Sequence, residues 1–529
     1  MSMNTTTMNV TPRTVRKLSL VRLCVVCLAL GVPLYFVFGV VAEQKNAIQL
    51  APFTPWFAAY VDVTSVPAYS FEKQSVTTVS NDVVLAFIVA DTEYPCEPTW
   101  GTHFTMDAAA EQLDLDRRIA RLQQQGGKIA LSFGGALNKE LGLACTDAEM
   151  LGKAYHSVID RYNVSTIDLD LENESLTDSA AQERRATVIA TLQHQYKAQG
   201  KNLVVWLTLP GATSGLAKEG TDAVSAMLAA GVDIAGVNVM VMDFGTSKDG
   251  QQTMSEASEQ SLREVHRQLG ILYKKSGTSV SDVSLWAKLG ATPMIGQNDV
   301  VDEVFTLDDA VALNQFAHEQ GLGRMSMWSA NRDIPCGENY ADRKVVSDVC
   351  SGVTTPPYTF GATLRTGFIG DLMQQATMIT TSDPHDLEAD DSKTSPYQIW
   401  NENGIYTKGT KVVWRKHVYE AKWWSKNDTP DNPVLQAWET PWQLIGPVLS
   451  TDKPMEQVVL PPGMFPKWQG QSVYDAGDRV FFEGVAFRAK WWNQGESPAA
   501  AAANPESSPW IPLTQEQVQE LLKNRRSGY

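Results

Sequence analysis

Short apolar segments alternate with longer amphipathic ones from about residue 55 to residue 360, and this alternation predicts the fold of most of the chain. The apolar segments, each short enough to be one strand, are 56–62, 83–90, 128–134, 166–172, 203–209, 234–243, 284–290 and 325–330. The intervening segments, such as 108–125 and 182–199, carry helix-forming Ala, Gln, Glu and Arg at helical spacing. Eight strands that are each followed by a helix over about 300 residues predict an α/β fold, a closed (β/α)8 TIM barrel at 50–375. An open doubly wound sheet also fits the alternation, but it usually needs a Gly-rich phosphate turn after its first strand, and 59–67 (AYVDVTSVP) is not one.

The last quarter of the chain contains an internal repeat. Ten residues recur 68 positions later: Trp400, Tyr406, Gly409, Val412, Tyr419, Lys422, Trp423, Trp424, Pro430 and Trp442 become Trp468, Tyr474, Gly477, Val480, Phe487, Lys490, Trp491, Trp492, Pro498 and Trp510. Short runs broken by Gly and polar turns are typical of antiparallel β structure. The repeat therefore predicts two small all-β modules, module 1 at 397–447 and module 2 at 467–514. An acidic linker at 376–396, a Pro-rich linker at 448–466 and a polar tail at 515–529 account for the remainder.

The N-terminal segment 1–45 has the pattern of an export signal. Arg13, Arg16, Lys17 and Arg22 precede an uncharged run at 23–42, and the first acid is Glu43. Twenty such residues are long enough to span a bilayer, with the basic flank on the cytoplasmic side. Val40-x-Ala42 also fits a cleavage site, so both a retained signal anchor and a long cleaved signal stay open. Either one predicts an exported protein, secreted or periplasmic, whose contact with a membrane is confined to 23–42.

Six cysteines follow the same division of the chain. Cys24 and Cys27 lie in the apolar run, and four others belong to the exported part, an even number for an oxidising compartment. The short gap between Cys336 and Cys350 predicts that they pair, which leaves Cys96 for Cys145; two other pairings are possible. None of the four exported cysteines lies in a CxxC pattern, and the sequence has no HxxxH pattern, so we expect no metal site and no cofactor.

The composition of the chain limits the kinds of ligand that the protein is suited to bind. Asp and Glu number 60 against 44 for Lys and Arg in 529 residues, a net charge of −16. Such a chain is poorly suited to nucleic acid or to an anionic membrane surface. The 15 Trp residues, with two WW pairs in the modules, instead suggest flat apolar ligands.

The central chemical signal is the sequence IDLDLE at 167–172. Side chains alternate faces along a strand, so Asp168, Asp170 and Glu172 should point into the barrel, with Glu172 at the carboxyl-terminal mouth, where TIM barrels carry out catalysis. Three acids in a low-dielectric interior cannot all ionise cheaply, so at least one should have the raised pKa of a general acid. A surface edge strand or a carboxylate metal cage are the alternative interpretations.

These residues resemble family 18 glycoside hydrolases, the chitinases and their relatives. The family's fourth strand carries DGxDxDxE, and 165–172 reads STIDLDLE, so the three acids match and the leading Asp-Gly does not. The family's SxGG is similar to 132–135, its Met/Asp motif to VNVMVMDFG at 237–245, and its floor tryptophan to Trp328. The resemblance covers about 55–360 and is to the bacterial single-barrel branch.

The resemblance implies a role for each matching residue. Glu172 would be the general acid, Asp170 would orient the substrate's own N-acetyl group, which attacks in place of an enzymic nucleophile, and Asp168 would share its charge or proton. Asp243 and Met240 would line the acetamido site, with Trp328 as the floor under the sugar. The family's usual tyrosine beside the Asp is replaced by Met242 and Phe244, which leaves two alternatives: Tyr60 supplies the missing hydroxyl, or the hydroxyl is absent.

The two modules resemble the small chitin-binding modules of bacterial chitinases, which carry an AKWW-type motif. Indole rings stack on pyranose rings, and two copies add avidity. The candidates are Trp423, Trp424, Trp491 and Trp492; we expect one ring of each pair in the core and Trp424 and Trp492 exposed, with Trp442 and Trp510 structural.

The sequence thus predicts an exported, monomeric chitinase whose partner is chitin or an N-acetylglucosamine oligosaccharide. An endo-β-N-acetylglucosaminidase acting on N-glycan cores, a peptidoglycan hydrolase and a catalytically weak chitin-binding lectin are the alternatives.

Overall fold

The computed structural model describes residues 54–526 with gaps at 74–81, 339, 341–344, 377, 381–389, 392–393, 403, 450, 455–460, 462, 483–484, 500–506 and 514. The predicted export segment 1–45, with Cys24 and Cys27, lies outside the described residues, as does most of the linker at 376–396. Within the described part of the chain, no helix combines the length and the apolar character needed to cross a membrane.

Parallel strands close into a barrel between residues 56 and 325. Barrel strand 1 has two segments, Trp56–Phe57 and Ala59–Asp62; barrel strands 2 to 8 are Val83–Ala90, Ile129–Gly134, Thr166–Asp170, Val204–Ala212, Ile234–Met240, Leu289–Thr292 and Arg324–Met325. Each strand pairs in parallel with the next, and Trp56–Phe57 pairs with Arg324–Met325 to complete the ring. The predicted (β/α)8 barrel is confirmed.

Helices follow the strands and cover the outside of the barrel. Their bounds are Met106–Gln112, Leu115–Gln124, Leu141–Ala144, Ala148–Tyr162, Glu174–Thr177, Ser179–Ala198, Lys218–Ala229, Met254–Lys275, Asp282–Ala287, Leu307–Gln320 and Thr359–Arg365. Local sequence sets their ends: Thr253 and Glu256 form a capping box at the start of Met254–Lys275, and the left-handed Gly321 ends Leu307–Gln320. Further short strands are Pro98–Trp100, Phe104–Thr105, Gly215–Leu216, Gly296–Gln297 and Val304–Phe305.

The predicted seventh strand was placed too early in the chain. Residues 284–290 lie mostly in the helix Asp282–Ala287, and barrel strand 7 begins at Leu289. The Ser281 hydroxyl accepts a hydrogen bond from Ser284 N and caps that helix. A short apolar run has no periodicity that separates a buried helix from a strand, so the cap was the decisive local signal.

The fourth barrel strand has the predicted alternation. Ile167, Leu169 and Leu171 are fully buried in the core between the strands and the outer helices, whereas Asp168 contacts polar groups from across the barrel interior. A Cβ on Gly134 of strand 3 would lie 2.0 Å from the Asp170 carbonyl oxygen, so only glycine allows this approach.

The two repeats fold as two small β modules. Module 1 contains Gln398–Ile399, Ile405–Tyr406, Lys411–Trp414, His417–Ala421, Ser425–Lys426 and Trp442–Pro447, and module 2 contains Val473–Tyr474, Arg479–Phe482, Val485–Ala489, Asn493–Gln494 and Trp510–Pro512. Trp442 and Trp510 are buried, and each donates its indole N–H to a backbone carbonyl, of Asp428 and Glu496 respectively. Their predicted structural role is confirmed. The polar tail contains a helix, Gln515–Arg526.

Module 1 rests against the barrel helix Met254–Lys275. Arg267 donates hydrogen bonds to the carbonyl oxygens of Val434 and Leu435, at 2.7 and 3.0 Å, and Gln268 donates to Leu435 at 2.9 Å. The Leu435 side chain packs against the barrel core. Module 1 is therefore fixed to the barrel by packing and by hydrogen bonds.

Both predicted disulfides are present. Cys96 pairs with Cys145 and Cys336 with Cys350. The first bond joins the loop after barrel strand 2 to the segment between helices Leu141–Ala144 and Ala148–Tyr162, and the second closes a loop after barrel strand 8. Loops that follow barrel strands form the catalytic face of a TIM barrel, so each bond restrains this face.

Candidate active site

The structure brings the three acids of the fourth strand together at the inner face of the barrel. Asp168 and Asp170 are 0% and 3% exposed, and Glu172, two residues beyond the strand's end, is half-buried at the mouth. The main chain at Glu172 is held by Ser175, whose hydroxyl accepts from Glu172 N at 2.8 Å and donates to Glu172 O at 2.6 Å. The buried carboxyl group of Asp170 is thus followed along the chain by the carboxyl group of Glu172, which solvent or a substrate can reach.

Asp168 lies in a dense polar network. Its Oδ2 accepts from the hydroxyl groups of Tyr60 and Ser132, each at 2.8 Å. Its Oδ1 accepts from Thr208 Oγ1 at 2.7 Å and from Arg324 Nη1 at 2.6 Å. Four donors from strands 1, 3, 5 and 8 therefore surround a single carboxylate.

Sequence reasoning missed most of this network. Thr208, Asn238 and Thr292 form a hydrogen-bonded chain across strands 5, 6 and 7, with distances of 3.0 and 2.7 Å from Asn238 Nδ2, and Arg324 extends from strand 8. Each is a polar residue within or beside an apolar strand. That is the signal by which an inward-facing layer could have been found.

Asp170 differs sharply from Asp168. Its Oδ1 is buried and has no hydrogen-bond partner within the described residues. Burial raises the pKa of Asp170 well above its usual range, and the neighbouring carboxylates of Glu172 and Asp168 raise it further, while Arg324 opposes them. Asp170 therefore favours a proton, and its Oδ1 is a buried polar atom without a partner among the described residues.

Glu172 has the electrostatics expected of a general acid. Burial raises its pKa to about 7, and the carboxylates of Asp243 and Asp299 contribute in the same direction. A group with that pKa carries a proton for part of the time near neutral pH and can donate it. The raised pKa predicted from the sequence is present at both Glu172 and Asp170.

Asp243 lies in a tightly held loop after strand 6. The residue has a positive φ of 49°; its Oδ1 accepts from Val300 N at 2.9 Å, and burial raises its pKa. The buried Glu303 accepts from Phe244 N and Gly245 N, each at 2.8 Å. Glu303, another residue that sequence reasoning missed, thus fixes the backbone that carries Asp243.

Glu303→Gln should therefore displace Asp243 indirectly, through the backbone of the loop that carries it. The amide keeps one acceptor and turns an NH2 group toward a backbone N–H, so one of the two hydrogen bonds is lost. For soluble N-acetylglucosamine oligomers, the substrate that the sequence resemblance implies, we expect KM to rise about fivefold to tenfold, with a smaller change in kcat. Steady-state kinetics measure this, and Asp302→Asn, next to it in sequence, is the control. An unchanged KM in a folded Glu303→Gln protein would contradict the role.

Trp328 and Phe87 form an aromatic surface beside Tyr60, whose ring centroid lies 6.1 Å from that of Trp328. Their rings stack at a centroid distance of 5.4 Å and an interplanar angle of 20°, and Trp328 is half-buried three residues beyond strand 8. Met240, the last residue of strand 6, is half-buried as well. A ring that is packed on one side and accessible on the other fits the predicted sugar floor.

Tyr60 is placed differently from the expectation. Its side chain is 1% exposed, and its hydroxyl bonds to Asp168, Thr208 and Arg324. Asn238 Nδ2 also donates to this hydroxyl, at 3.4 Å, so a hydroxyl with four protein partners supports Asp168 from below. Met242 and Phe244 supply no hydroxyl beside Asp243, and Phe244 is buried in the core.

The module tryptophans correct two expectations, that each pair has one ring in the core and that Trp424 is the exposed ring of module 1, whereas Trp492 is exposed as predicted. In module 1 the exposed ring of the pair is Trp423, at 42%, while Trp424 is half-buried; in module 2 both Trp491 and Trp492 are exposed, at 44% and 59%. The expectation of one core ring in each pair was wrong because both pairs follow the end of a strand, at Ala421 and Ala489, where alternation stops.

A lysine supports the first ring of each pair. Lys422 Nζ lies 4.8 Å from the centroid of Trp423, and Lys490 Nζ lies 4.4 Å from that of Trp491. Lys422 Nζ also donates to the carbonyl oxygen of Ala437, whose neighbour Trp438 is 61% exposed. Trp438 has no counterpart in module 2, where position 506 is Glu.

Comparison with known proteins supports the division of the chain into a chitinase-like barrel and a carbohydrate-binding module. A probable bifunctional chitinase/lysozyme of Escherichia coli is 35% identical over 54% of this chain and 31% of its own length. Endochitinase 11 of Metarhizium anisopliae is 33% identical over 53% of this chain and 52% of its own. The chain thus spans about a third and about half of these two relatives.

A solved structure matches the barrel. Active domain 2 of the chitinase from Pyrococcus furiosus is 27% identical, with a TM-score of 0.51, over 60% of this chain and 97% of that chain. The predicted resemblance to chitinases is confirmed. Residues 467–510 match carbohydrate-binding module family 5/12. The chitinase-like barrel is thus followed by a module of a family that binds carbohydrate.

Proposed function

We propose that the chain is an exported chitinase that hydrolyses β-1,4-linked N-acetylglucosamine polymers with retention of anomeric configuration. The observation that carries this proposal is the pairing of Asp170 and Glu172. One is a buried carboxyl group with an unpaired oxygen, and the other is a half-buried carboxyl group with a pKa of about 7. A proton donor beside an acceptor suits cleavage of a sugar that carries its own amide nucleophile.

The first chemical step uses both groups. Glu172 gives its proton to the glycosidic oxygen as the bond from that oxygen to the anomeric carbon breaks. The acetamido oxygen of the same sugar forms a bond to that carbon, which yields an oxazolinium ion, and Asp170 accepts a hydrogen bond from the acetamido N–H. Trp328 stacks under the sugar, and Asp243 lies at the loop that faces it.

The second step regenerates the enzyme. The Glu172 carboxylate takes a proton from a water molecule whose oxygen attacks the anomeric carbon, and the bond to the acetamido oxygen breaks. Two inversions at one carbon give net retention. The two modules hold the enzyme on the polymer, and the N-terminal segment 23–42 directs export or retains the protein at a membrane.

The substrate and the stereochemistry can be tested together. Residues 43–529 should release reducing ends from colloidal chitin, and proton NMR of a soluble oligomer digest should show the β-anomer of the new end first. Because the E. coli relative is named chitinase/lysozyme, peptidoglycan is the second substrate to assay, followed by an N-glycan core. Activity on either with none on chitin would replace the proposed substrate, and binding without hydrolysis of any glycan would indicate a lectin.

The pH profile of hydrolysis should report on Glu172. The group must be protonated to act, so kcat/KM should fall as the pH rises through about 7, the pKa of Glu172. The carboxylate of Asp243 contributes to that raised pKa, so Asp243→Asn should shift the basic limb to lower pH. Kinetics across the pH range with a soluble oligomer measure this; a basic limb that does not move in Asp243→Asn would contradict it.

A further inference from the structure

Arg324 is a fully enclosed cation at the base of the site. It is 1% exposed and lies among the rings of Trp56, Tyr60 and Trp206, at 5.1, 5.5 and 5.4 Å from its guanidinium carbon. Its Nε donates to Ser326 Oγ at 3.0 Å. Burying a guanidinium costs free energy unless the group is paired with an anion. The role of Arg324 can therefore be inferred from the anion that it pairs with.

That partner is Asp168. Arg324 Nη1 donates to Asp168 Oδ1 at 2.6 Å, and Nη2 donates to the Tyr60 hydroxyl at 2.9 Å, which in turn donates to Asp168 Oδ2. A guanidinium cannot lose its proton or accept a hydrogen bond. A proton on Asp168 Oδ1 would therefore face a group that can only donate.

The remaining contacts of Asp168 also leave no acceptor for a proton on its carboxyl group. The hydroxyl groups of Ser132 and Thr208 both donate to it, so each carboxylate oxygen accepts two hydrogen bonds. The charged and titratable groups that face Asp168 are Arg324, Tyr60 and Asp170, with Glu172 beyond. Of the carboxyl groups among them, Asp170 has an oxygen without a partner in the described chain.

We propose that Arg324 is a positioning residue that keeps Asp168 ionised throughout the reaction, so that the mobile proton of the site is held by Asp170 and Glu172 alone. This inference rests on the proposed hydrolysis and changes one expectation drawn from the sequence, that Asp168 shares the proton. Asp168 then supplies a permanent negative charge below Asp170, and Arg324 lowers the cost of burying it.

The protonation of Asp168 can be measured directly by infrared difference spectroscopy at neutral pH. The spectrum of the wild type minus Asp168→Asn should contain carboxylate bands and no C=O stretch of a protonated carboxyl group at this position. The spectrum of Arg324→Met minus Arg324→Met/Asp168→Asn should contain that stretch, because Asp168 without its cation takes up a proton. The double variant lacks both buried charges, so it also tests whether the fold tolerates their loss.

Kinetics on soluble N-acetylglucosamine oligomers give the functional readout. In Arg324→Met we expect kcat to fall about tenfold and KM to change less than about twofold, since Arg324 does not reach the sugar. The pH profile should gain an ionisation, that of Asp168. Arg324→Lys, which keeps the charge, should recover most of kcat and the original profile.

The possible outcomes separate this inference from the proposed function. A wild type that is inactive on every glycan tested removes the proposed function, whereas the infrared result still decides the state of Asp168. A protonated Asp168 in the wild type, or an Arg324→Met protein that is less stable but has an unchanged pH profile, would overturn the inference and leave the hydrolysis in place.

Discussion

Replacing Glu172 with glutamine should lower kcat for soluble N-acetylglucosamine oligomers by about a thousandfold, within the range expected for loss of a general acid. Glutamine has the shape of the protonated acid, but its amide protons are not acidic enough to be transferred to the glycosidic oxygen. Because the side chain stays neutral and keeps its hydrogen-bonding size, binding of an oligomer should change little. Reducing-end release measures the first effect, and calorimetric titration with the same oligomer measures the second.

The leaving group offers a second test of this role. An aryl glycoside with a good leaving group needs little protonation, so Glu172→Gln should lose much less activity on it than on an oligomer. Glu174→Gln is the matched control, since Glu174 lies two residues further on and is exposed, and it should keep activity within about twofold. A Glu172→Gln protein with more than a few per cent of oligomer activity would place the acid elsewhere.

The acidic site was predictable because its information is local. Alternation along one strand places Asp168 and Asp170 on one face, and the apolar partners Ile167 and Leu169 confirm which face is inside. The partners of Asp168 come from four other strands and depend on how the barrel closes. Strand pairing places Asp168 next to Ser132 on one side and Trp206 on the other, and no single segment of sequence contains that register.

Arg324 is the site residue whose position was hardest to predict from the sequence. It lies at the first position of a two-residue strand, just before the apolar run 325–330, where a charged residue is easily taken as a loop residue. Ring closure between strands 1 and 8 brings it inside, next to Trp56. The same applies to the module tryptophans, whose exposure depends on turns rather than on a repeating pattern.

Replacing the exposed tryptophans of both modules should weaken binding to crystalline chitin by about a hundredfold or more, since two linked modules bind by avidity. The variants are Trp423→Ala/Trp438→Ala in module 1, Trp491→Ala/Trp492→Ala in module 2, and the combination. Each pair alone should cost about tenfold, because an indole stacked on a flat ligand loses both buried area and its specific ring contact.

Binding isotherms on chitin should use the Glu172→Gln background, so that the polymer stays intact, and hydrolysis of soluble oligomers should use the active enzyme. The tryptophan variants should leave soluble hydrolysis unchanged, because the modules lie outside the barrel that holds the acids. Val473→Ala, at a side chain that is 50% exposed in module 2, should bind as the parent does. If either pair alone lowers chitin binding as much as the combination does, the two modules do not bind the polymer together. If only the module 2 pair lowers chitin binding, module 1 serves as a spacer that Arg267 and Leu435 fix to the barrel.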